Sequence, residues 1–310
     1  MSKNHLIKKG LLHPRYWLTW FGIGVLWLWV QLPYPLLMKM GDWFGRFSMH
    51  FLKRRVAIAQ QNLKLCFPHY TDSQIDIIVS QNFSSLGRGL IETGMGWFWS
   101  DARVNKWCHV SGLEHLIAAS AKGKGIMVIG VHFMSLELGG RVMGLHHPMM
   151  AMYRPHNNSV LEFIQTRGRS RSNKAMLDRR NLRGMVKALK SGEAVWFAPD
   201  QDYGPQGSSF VPFFAVEKAA TTNGTFTIAR LAKPAMLTTV LIRKPGGEGY
   251  QLIIEPEFYD YPLDENDEQS AAAYMNRKIE QEIMRAPEQY LWLHRRFKTR
   301  PLGNNRLYSV

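Results

Sequence analysis

His132 stands at the end of an unbroken apolar run, Ile126-Met-Val-Ile-Gly-Val131, and Glu137 follows it five positions later, where a helix-like pattern begins. The run comes after Gly123-Lys-Gly125 and reads as a buried strand. A side chain at the C-terminal end of a parallel strand, where the chain turns into a helix, is where α/β folds place reactive groups. A turn can carry the Glu137 carboxylate to the His132 imidazole. Such a pair makes a general base: the carboxylate fixes the tautomer and stabilises the imidazolium formed when the ring takes a proton from a hydroxyl. The spacing differs from the i,i+4 pair of a metal-binding helix. Taken alone it is common, and a hydrogen-bonded turn histidine is the plainer reading.

Further polar segments also follow strand-like runs. Tyr153-Arg154-Pro-His-Asn-Asn158 comes after Met149–Met152, and the Gln165–Lys174 stretch sets Arg167, Arg169, Arg171 and Lys174 among small residues. Trp196-Phe-Ala-Pro-Asp200-Gln-Asp202-Tyr-Gly204 is another strand ending in a polar turn. Cys66 and Cys108 sit in no nucleophile, zinc or redox motif, two cysteines make no disulfide framework, and no Gly-x-Ser-x-Gly elbow is present. The expected chemistry is direct acid–base activation of a hydroxyl, without covalent intermediate, metal or cofactor.

The elements that would hold these residues alternate. Strand-like runs at 126–131, 149–152, 194–198, 237–242 and 250–254 are separated by helical patterns, notably Met134–Leu145, Leu182–Lys190 and Ala271–Met284, which predicts an α/β fold with a mostly parallel sheet flanked by helices. Lys244-Pro-Gly-Gly-Glu-Gly-Tyr250 reads as a hairpin turn. Residues 42–100 carry helix-period apolar positions broken at Pro68 and at the capping-type Thr71-Asp-Ser. The organisation expected is a membrane anchor over 1–40, a helical lead-in over 41–121 and a catalytic core over 122–310.

The anchor is expected from the 23 consecutive uncharged positions between Tyr16 and Met38, which include Trp17, Trp20, Trp27 and Trp29. A bilayer core needs ~20 such residues, and indoles favour its interface. No small-x-small cleavage site follows. Pro33 and Pro35 should end the helix early, so a single transmembrane helix and a shallow monotopic insertion both fit. Orientation stays open: Lys3, Lys8, Lys9 and Arg15 precede the run, and Lys39, Arg46, Lys53, Arg54 and Arg55 follow it.

The chain has 310 residues with 39 Lys+Arg against 24 Asp+Glu, a formal charge of +15, and 45% hydrophobic residues, which excludes an acidic or disordered chain. Nine of those cations (167, 169, 171, 174, 179, 180, 183, 187, 190) lie between Gln165 and Lys190 with one acid, Asp178. Such a concentration suits anionic partners, although a solvated helix face also explains it. A membrane-tethered polyanion-binding module is an alternative. It is opposed by the aromatics, which gather in apolar runs instead of interleaving with the arginines as stacking platforms for nucleic acid.

With His132/Glu137, these segments in this order resemble the late (secondary) acyltransferases of lipid A biosynthesis, lysophospholipid-acyltransferase-like enzymes with a His-x4-Asp/Glu motif. The likeness extends from Leu12-His-Pro-Arg-Tyr-Trp-Leu-Thr-Trp20 through Glu92-Thr-Gly-Met-Gly-Trp-Phe-Trp99 to Trp292-Leu-His-Arg-Arg-Phe-Lys-Thr-Arg-Pro301. His132-Phe-Met-Ser-Leu-Glu-Leu-Gly-Gly-Arg-Val-Met-Gly144 and Ala198–Gly204 lean from the lauroyl toward the palmitoleoyl type. The resemblance implies transfer of a fatty acyl chain from acyl-acyl carrier protein to the hydroxyl of a hydroxyacyl chain on the Kdo-bearing tetraacyl lipid A precursor, at the Gram-negative inner membrane with the catalytic domain facing the cytoplasm. It casts His132 as base and Glu137 as its orienter. Arg169, then Arg154, is the cation near the reacting centre, with Asp200 or Asp202 holding such an arginine. Arg171, Lys174, Arg179 and Arg180 are carrier-protein or phosphate contacts. A lysophospholipid or other glycolipid acceptor is the competing enzymatic reading, and chain length is left open.

Overall fold

The computed structural model describes residues 9–263 and 267–308; Lys3 and Lys8 lie outside them. After two short 3-10 turns (Lys9–Leu12 and Pro14–Tyr16) come two α-helices, α1 (Trp17–Trp29) and α2 (Tyr34–Ser48). They correct the expectation of one transmembrane helix. Pro33 caps α2 with an extended ψ of 139°, so the apolar run bends between the helices. The 13 residues of α1 span ~20 Å, short of the ~30 Å of a hydrocarbon core. No helix among the described residues is long and apolar enough to cross a membrane. The outer side of the pair is nevertheless apolar: Leu18 is 81% and Phe21 70% exposed, and Trp17, Trp43, Phe47 and Phe51 are also exposed.

Next come α3 (Lys53–Cys66), the 27-residue α4 (Asp72–Phe98) and the short α5 (Asp101–Trp107). A capping box starts α4: the Thr71 hydroxyl accepts from Gln74 N, and the Gln74 side chain accepts from Thr71 N. Alternating elements follow: β1 (Cys108–Ser111), α6 (Leu113–Ala121), β2 (Ile126–Gly130), α7 (Leu136–His146), β3 (Met150–Tyr153), α8 (Ser159–Arg169), β4 (Ala175–Asp178), α9 (Leu182–Lys190) and β5 (Ala194–Phe197). The chain continues through a two-stranded hairpin, β6 (Ser208–Phe213) and β7 (Val216–Thr222), then α10 (Gly224–Ala232), β8 (Ala235–Arg243), β9 (Tyr250–Ile254) and α11 (Glu268–Ile283).

Seven strands form one sheet in the order β1-β9-β8-β2-β5-β3-β4. Every pairing in it is parallel except β8 with β9, which Lys244–Tyr250 joins as the expected hairpin. The α/β class read from the alternation is therefore present. β2 lies at the centre of the sheet with all five residues buried, and its side chains alternate between two cores. Met127 and Ile129 face one core with Leu63, Met185 of α9, Ile228 of α10 and Ile279 of α11. Ile126 and Val128 face the other with Leu37 of α2, Ile91 of α4 and Leu138 of α7.

A buried ion pair fastens the second core. Arg243, at the end of β8, meets the fully buried Glu92 of α4 through two nitrogens, while its Nη1 donates to Ser85 Oγ at 2.9 Å and the Tyr250 hydroxyl donates to Glu92 at 2.7 Å. With its lone pairs and donors so occupied, the pair fixes α4 against β8 and β9.

Candidate active site

Parallel register brings two strand ends together. Ile129 of β2 is opposite Phe197 of β5, so His132 and Asp200, each three residues further on, leave the sheet side by side. His132 Nδ1 lies 2.6 Å from Asp200 Oδ1, and the His132 backbone N–H donates to Asp200 Oδ2 at 2.8 Å. Asp200 is fully buried and the imidazole is 21% exposed, so the carboxylate fixes the ring while Nε2, on the far side of the ring, is the nitrogen able to take a proton. Burial alone would lower the imidazole's pKa, but the charge and hydrogen bond of Asp200 prevail and raise it. For Asp200, burial opposes ionisation and the charge and hydrogen bonds of His132 outweigh it, so the carboxyl is held below its usual range.

Glu137 is engaged elsewhere. In the first turn of α7, it accepts from Arg169 through Nε at 3.1 Å and through Nη2, from Trp97 Nε1 at 3.2 Å and from Gln165 Nε2 at 3.3 Å. Burial pushes its pKa up, yet Arg169 and these donors lower it overall. The expected His132–Glu137 contact is thus replaced by two ion pairs, His132–Asp200 and Arg169–Glu137. The physical reason is reach: the next strand end supplies a carboxylate alongside the imidazole, whereas α7 and α8 present Glu137 and Arg169 to each other.

His132, with Asp200 behind it, and the Arg169–Glu137 pair border a cavity of about 140 Å³ lined also by Tyr153 and Trp97 together with Met149, Met152, Met176 and Trp196. Its wall is mainly apolar with a few converging charges, the composition of a site for a chain with a polar head. A smaller apolar recess continues from it, bordered by Phe133, Met143, Val240, Leu241 and Leu252; Leu136, Gly140, Met149 and Trp196 line both spaces. Two glycines permit this packing. A Cβ on Gly130 would lie 2.1 Å from the Trp196 indole, which stands edge-on to His132 with ring centroids 6.0 Å apart. A Cβ on Gly168 would lie 2.6 Å from Trp97.

The remaining expected site residues are dispersed. Asp202 is buried but away from the cavity wall, accepting from Thr299 N at 2.7 Å, Thr299 Oγ1 at 2.8 Å and Gly204 N at 3.0 Å, so its role as holder of a site arginine is corrected to holding the C-terminal segment. Asp200 likewise holds His132 and not an arginine. Arg154 is exposed beyond β3 and absent from the cavity lining. Arg171 donates to the Trp97 carbonyl at 2.7 Å, Lys174 pairs with Glu193, Arg180 pairs with Asp178 at 2.9 Å and Arg179 is exposed. Trp97 and Gln165 were not foreseen; both fall inside quoted motifs, but nothing local marks an indole or an amide as a donor to a carboxylate 28 to 40 residues away.

The C-terminal segment ties down the turn that carries His132. Leu291 N donates to the His132 carbonyl at 3.0 Å, Met134 N to the Gln289 carbonyl at 2.9 Å and the Tyr290 hydroxyl to the Asp200 carbonyl at 3.3 Å.

A carboxylate-bound histidine on the C-terminal edge of a mostly parallel α/β sheet, facing an apolar cavity, is the arrangement expected of an α/β enzyme with a general base beside an apolar substrate. The sequence matches the bacterial lipid A biosynthesis acyltransferases over residues 6–299, and the chain belongs to that family. It is 64% identical over 297 residues to the lipid A biosynthesis palmitoleoyltransferase of Escherichia coli K12, covering 96% of each chain. It is 54% identical over 293 residues to the lauroyltransferase of the same organism, covering 94% of this chain and 95% of that one. A Haemophilus influenzae lipid A biosynthesis acyltransferase is 46% identical over 94% of this chain and 93% of its own. The protein is therefore an acyltransferase.

Proposed function

We propose that the protein moves a palmitoleoyl or lauroyl chain from acyl-acyl carrier protein to the hydroxyl of a hydroxyacyl chain on the Kdo-bearing tetraacyl lipid A precursor, at the cytoplasmic face of the inner membrane. The observation that carries this reading is the His132–Asp200 pair at the wall of an apolar cavity. His132 Nε2 takes the proton of the acceptor hydroxyl as its oxygen attacks the thioester carbonyl. The tetrahedral intermediate collapses, the C–S bond breaks, and the proton passes to the departing thiolate. Asp200 balances the transient imidazolium. Arg169, anchored by Glu137, supplies positive charge at the cavity wall, where carbonyl oxygen charge develops. The apolar side of the cavity, formed by Met149, Met152, Met176 and Trp196, receives the part of the acyl chain next to its carbonyl.

The identity to a palmitoleoyltransferase favours the longer donor. Helices α1 and α2 support a membrane location of monotopic kind. Their exposed apolar side suits insertion at an interface, and the packing of Tyr16 and Ile23 with Trp97 and Ile164 supports a site close to that interface. The test is acyl transfer from labelled acyl-acyl carrier protein to the tetraacyl precursor or to a lysophospholipid, together with mass spectrometry of lipid A from cells with and without the gene. A mass increase of one palmitoleoyl or lauroyl chain is expected. Transfer to lysophospholipid alone would reject the reading.

A further inference from the structure

The fold divides the basic stretch between Gln165 and Lys190. Arg169, Arg171, Lys174 and Arg180 have the partners described above, whereas Arg183, Lys187 and Lys190 form one exposed stripe on α9 at i, i+4 and i+7. Beside the stripe, Leu182, Val186 and Leu231 of α10 line a shallow cleft of about 370 Å³ whose rim includes the three cations. Leu182 is 37% and Leu231 49% exposed. Residues 179–192 contain no acid, so α9 does not neutralise its own field.

Position in the fold selects the partner. Met185 and Leu189 of α9 pack on the Met127/Ile129 side of the sheet, and α2 packs on the Ile126/Val128 side. A molecule resting on lipid through α1 and α2 therefore turns α9 away from the bilayer, and the cleft faces the aqueous phase. Its Leu182–Arg183 end also lies on the active-site edge of the sheet, from which α9 runs back. α9 begins four residues after β4, whose C-terminal end shares the sheet edge of His132, and β4 is three strand spacings from β2, about 14 Å. Tyr153 of β3 and Met176 of β4 line the active-site cavity along that path.

We propose that the Arg183–Lys187–Lys190 stripe and the Leu182–Val186–Leu231 cleft form the docking surface for the acidic carrier protein that delivers the acyl thioester. An acidic helix would lay its carboxylates along the stripe and an apolar side chain into the cleft, leaving its thioester arm to run along the sheet edge to the cavity. This rests on the carrier-borne donor proposed above.

The test uses the full chain in detergent. Reversing charge with Arg183→Glu and Lys187→Glu should raise KM for acyl-acyl carrier protein roughly tenfold and flatten the fall of kcat/KM with NaCl seen for the unaltered protein. Leu231→Ser should raise KM in the same direction. The reversed protein should use acyl-pantetheine, which has no carrier protein, as well as the unaltered one does, and Arg277→Glu on α11 should change nothing. An unchanged KM for the carrier-borne donor overturns the proposal, as do equal losses with acyl-pantetheine. So does lost sedimentation with anionic phosphatidylglycerol vesicles at an intact carrier KM, which would make the stripe a lipid contact. Anisotropy of dye-labelled carrier protein reads docking without catalysis. A chain that binds it through the stripe yet acylates no lipid A precursor would refute the proposed function and keep the docking surface.

Discussion

In the proposed mechanism His132 acts as a base only while its ring is neutral, and Asp200 raises the pH at which that holds. Activity should therefore fall as pH drops through an inflection above the ordinary histidine value of ~6.5, about tenfold per pH unit. Asp200→Asn should lower kcat by about 10²- to 10⁴-fold and move the inflection downward, because the neutral amide no longer favours the imidazolium. Glu137→Gln should lower kcat with the inflection in place, since its partner is Arg169; pH–rate profiles of both variants decide which carboxylate serves the imidazole. Gly140 bears on donor choice. A Cβ there would meet nothing within 4 Å, in the space joining cavity and recess. Gly140→Val should shift preference roughly tenfold toward lauroyl over palmitoleoyl donors, the loss of room for about two methylenes at ~0.8 kcal/mol each, read by competition between the two thioesters. The place of His132 at the end of β2 was legible in the sequence, whereas a role for it was not, since a histidine at such a turn is commonly structural. The partnership with Asp200 was not legible either, because it depends on register between strands separated by three helices and two further strands.

Among the elements, the strand β9 and the helix α9 could be read from sequence with their observed ends, since each has a clean period and turn residues at its borders. β4 was missed because four residues inside a basic stretch show no alternation. The β6–β7 hairpin was missed because Pro212 falls within a strand, where proline argues against pairing. The N-terminal run misled for the opposite reason. Its composition is that of a span, and one backbone constraint at Pro33 divides it into two helices that lie against α4 and α8. Replacing Leu18 and Phe21 by Asp should move the protein from the membrane to the soluble fraction on ultracentrifugation while leaving its melting temperature within a few degrees, because these side chains are largely exposed. Retention in the membrane fraction would refute insertion through α1.

For the molecule as a whole, local pattern predicts layers but not the order of strands, which emerges only when distant segments compete for the same neighbours. The Glu92–Arg243 pair is such a long-range constraint, joining residues 151 apart in sequence. Arg243→Met leaves Glu92 charged in an apolar core and should cost about 3–5 kcal/mol, seen as a lower urea midpoint; adding Glu92→Gln should restore part of the loss. If the single change leaves the midpoint where it was, the pair does not hold α4 to the sheet.

The lacing of Gln289–Leu291 over the histidine turn also has a temporal side. Synthesis delivers His132 and Asp200 long before the residues that close around them, and the chain leaves the ribosome N-terminus first. A nascent polypeptide should therefore be unable to turn over donor until these residues are added. Chains truncated after Arg285 should hydrolyse or transfer no thioester, and full turnover from them would show that the histidine turn holds its shape without them.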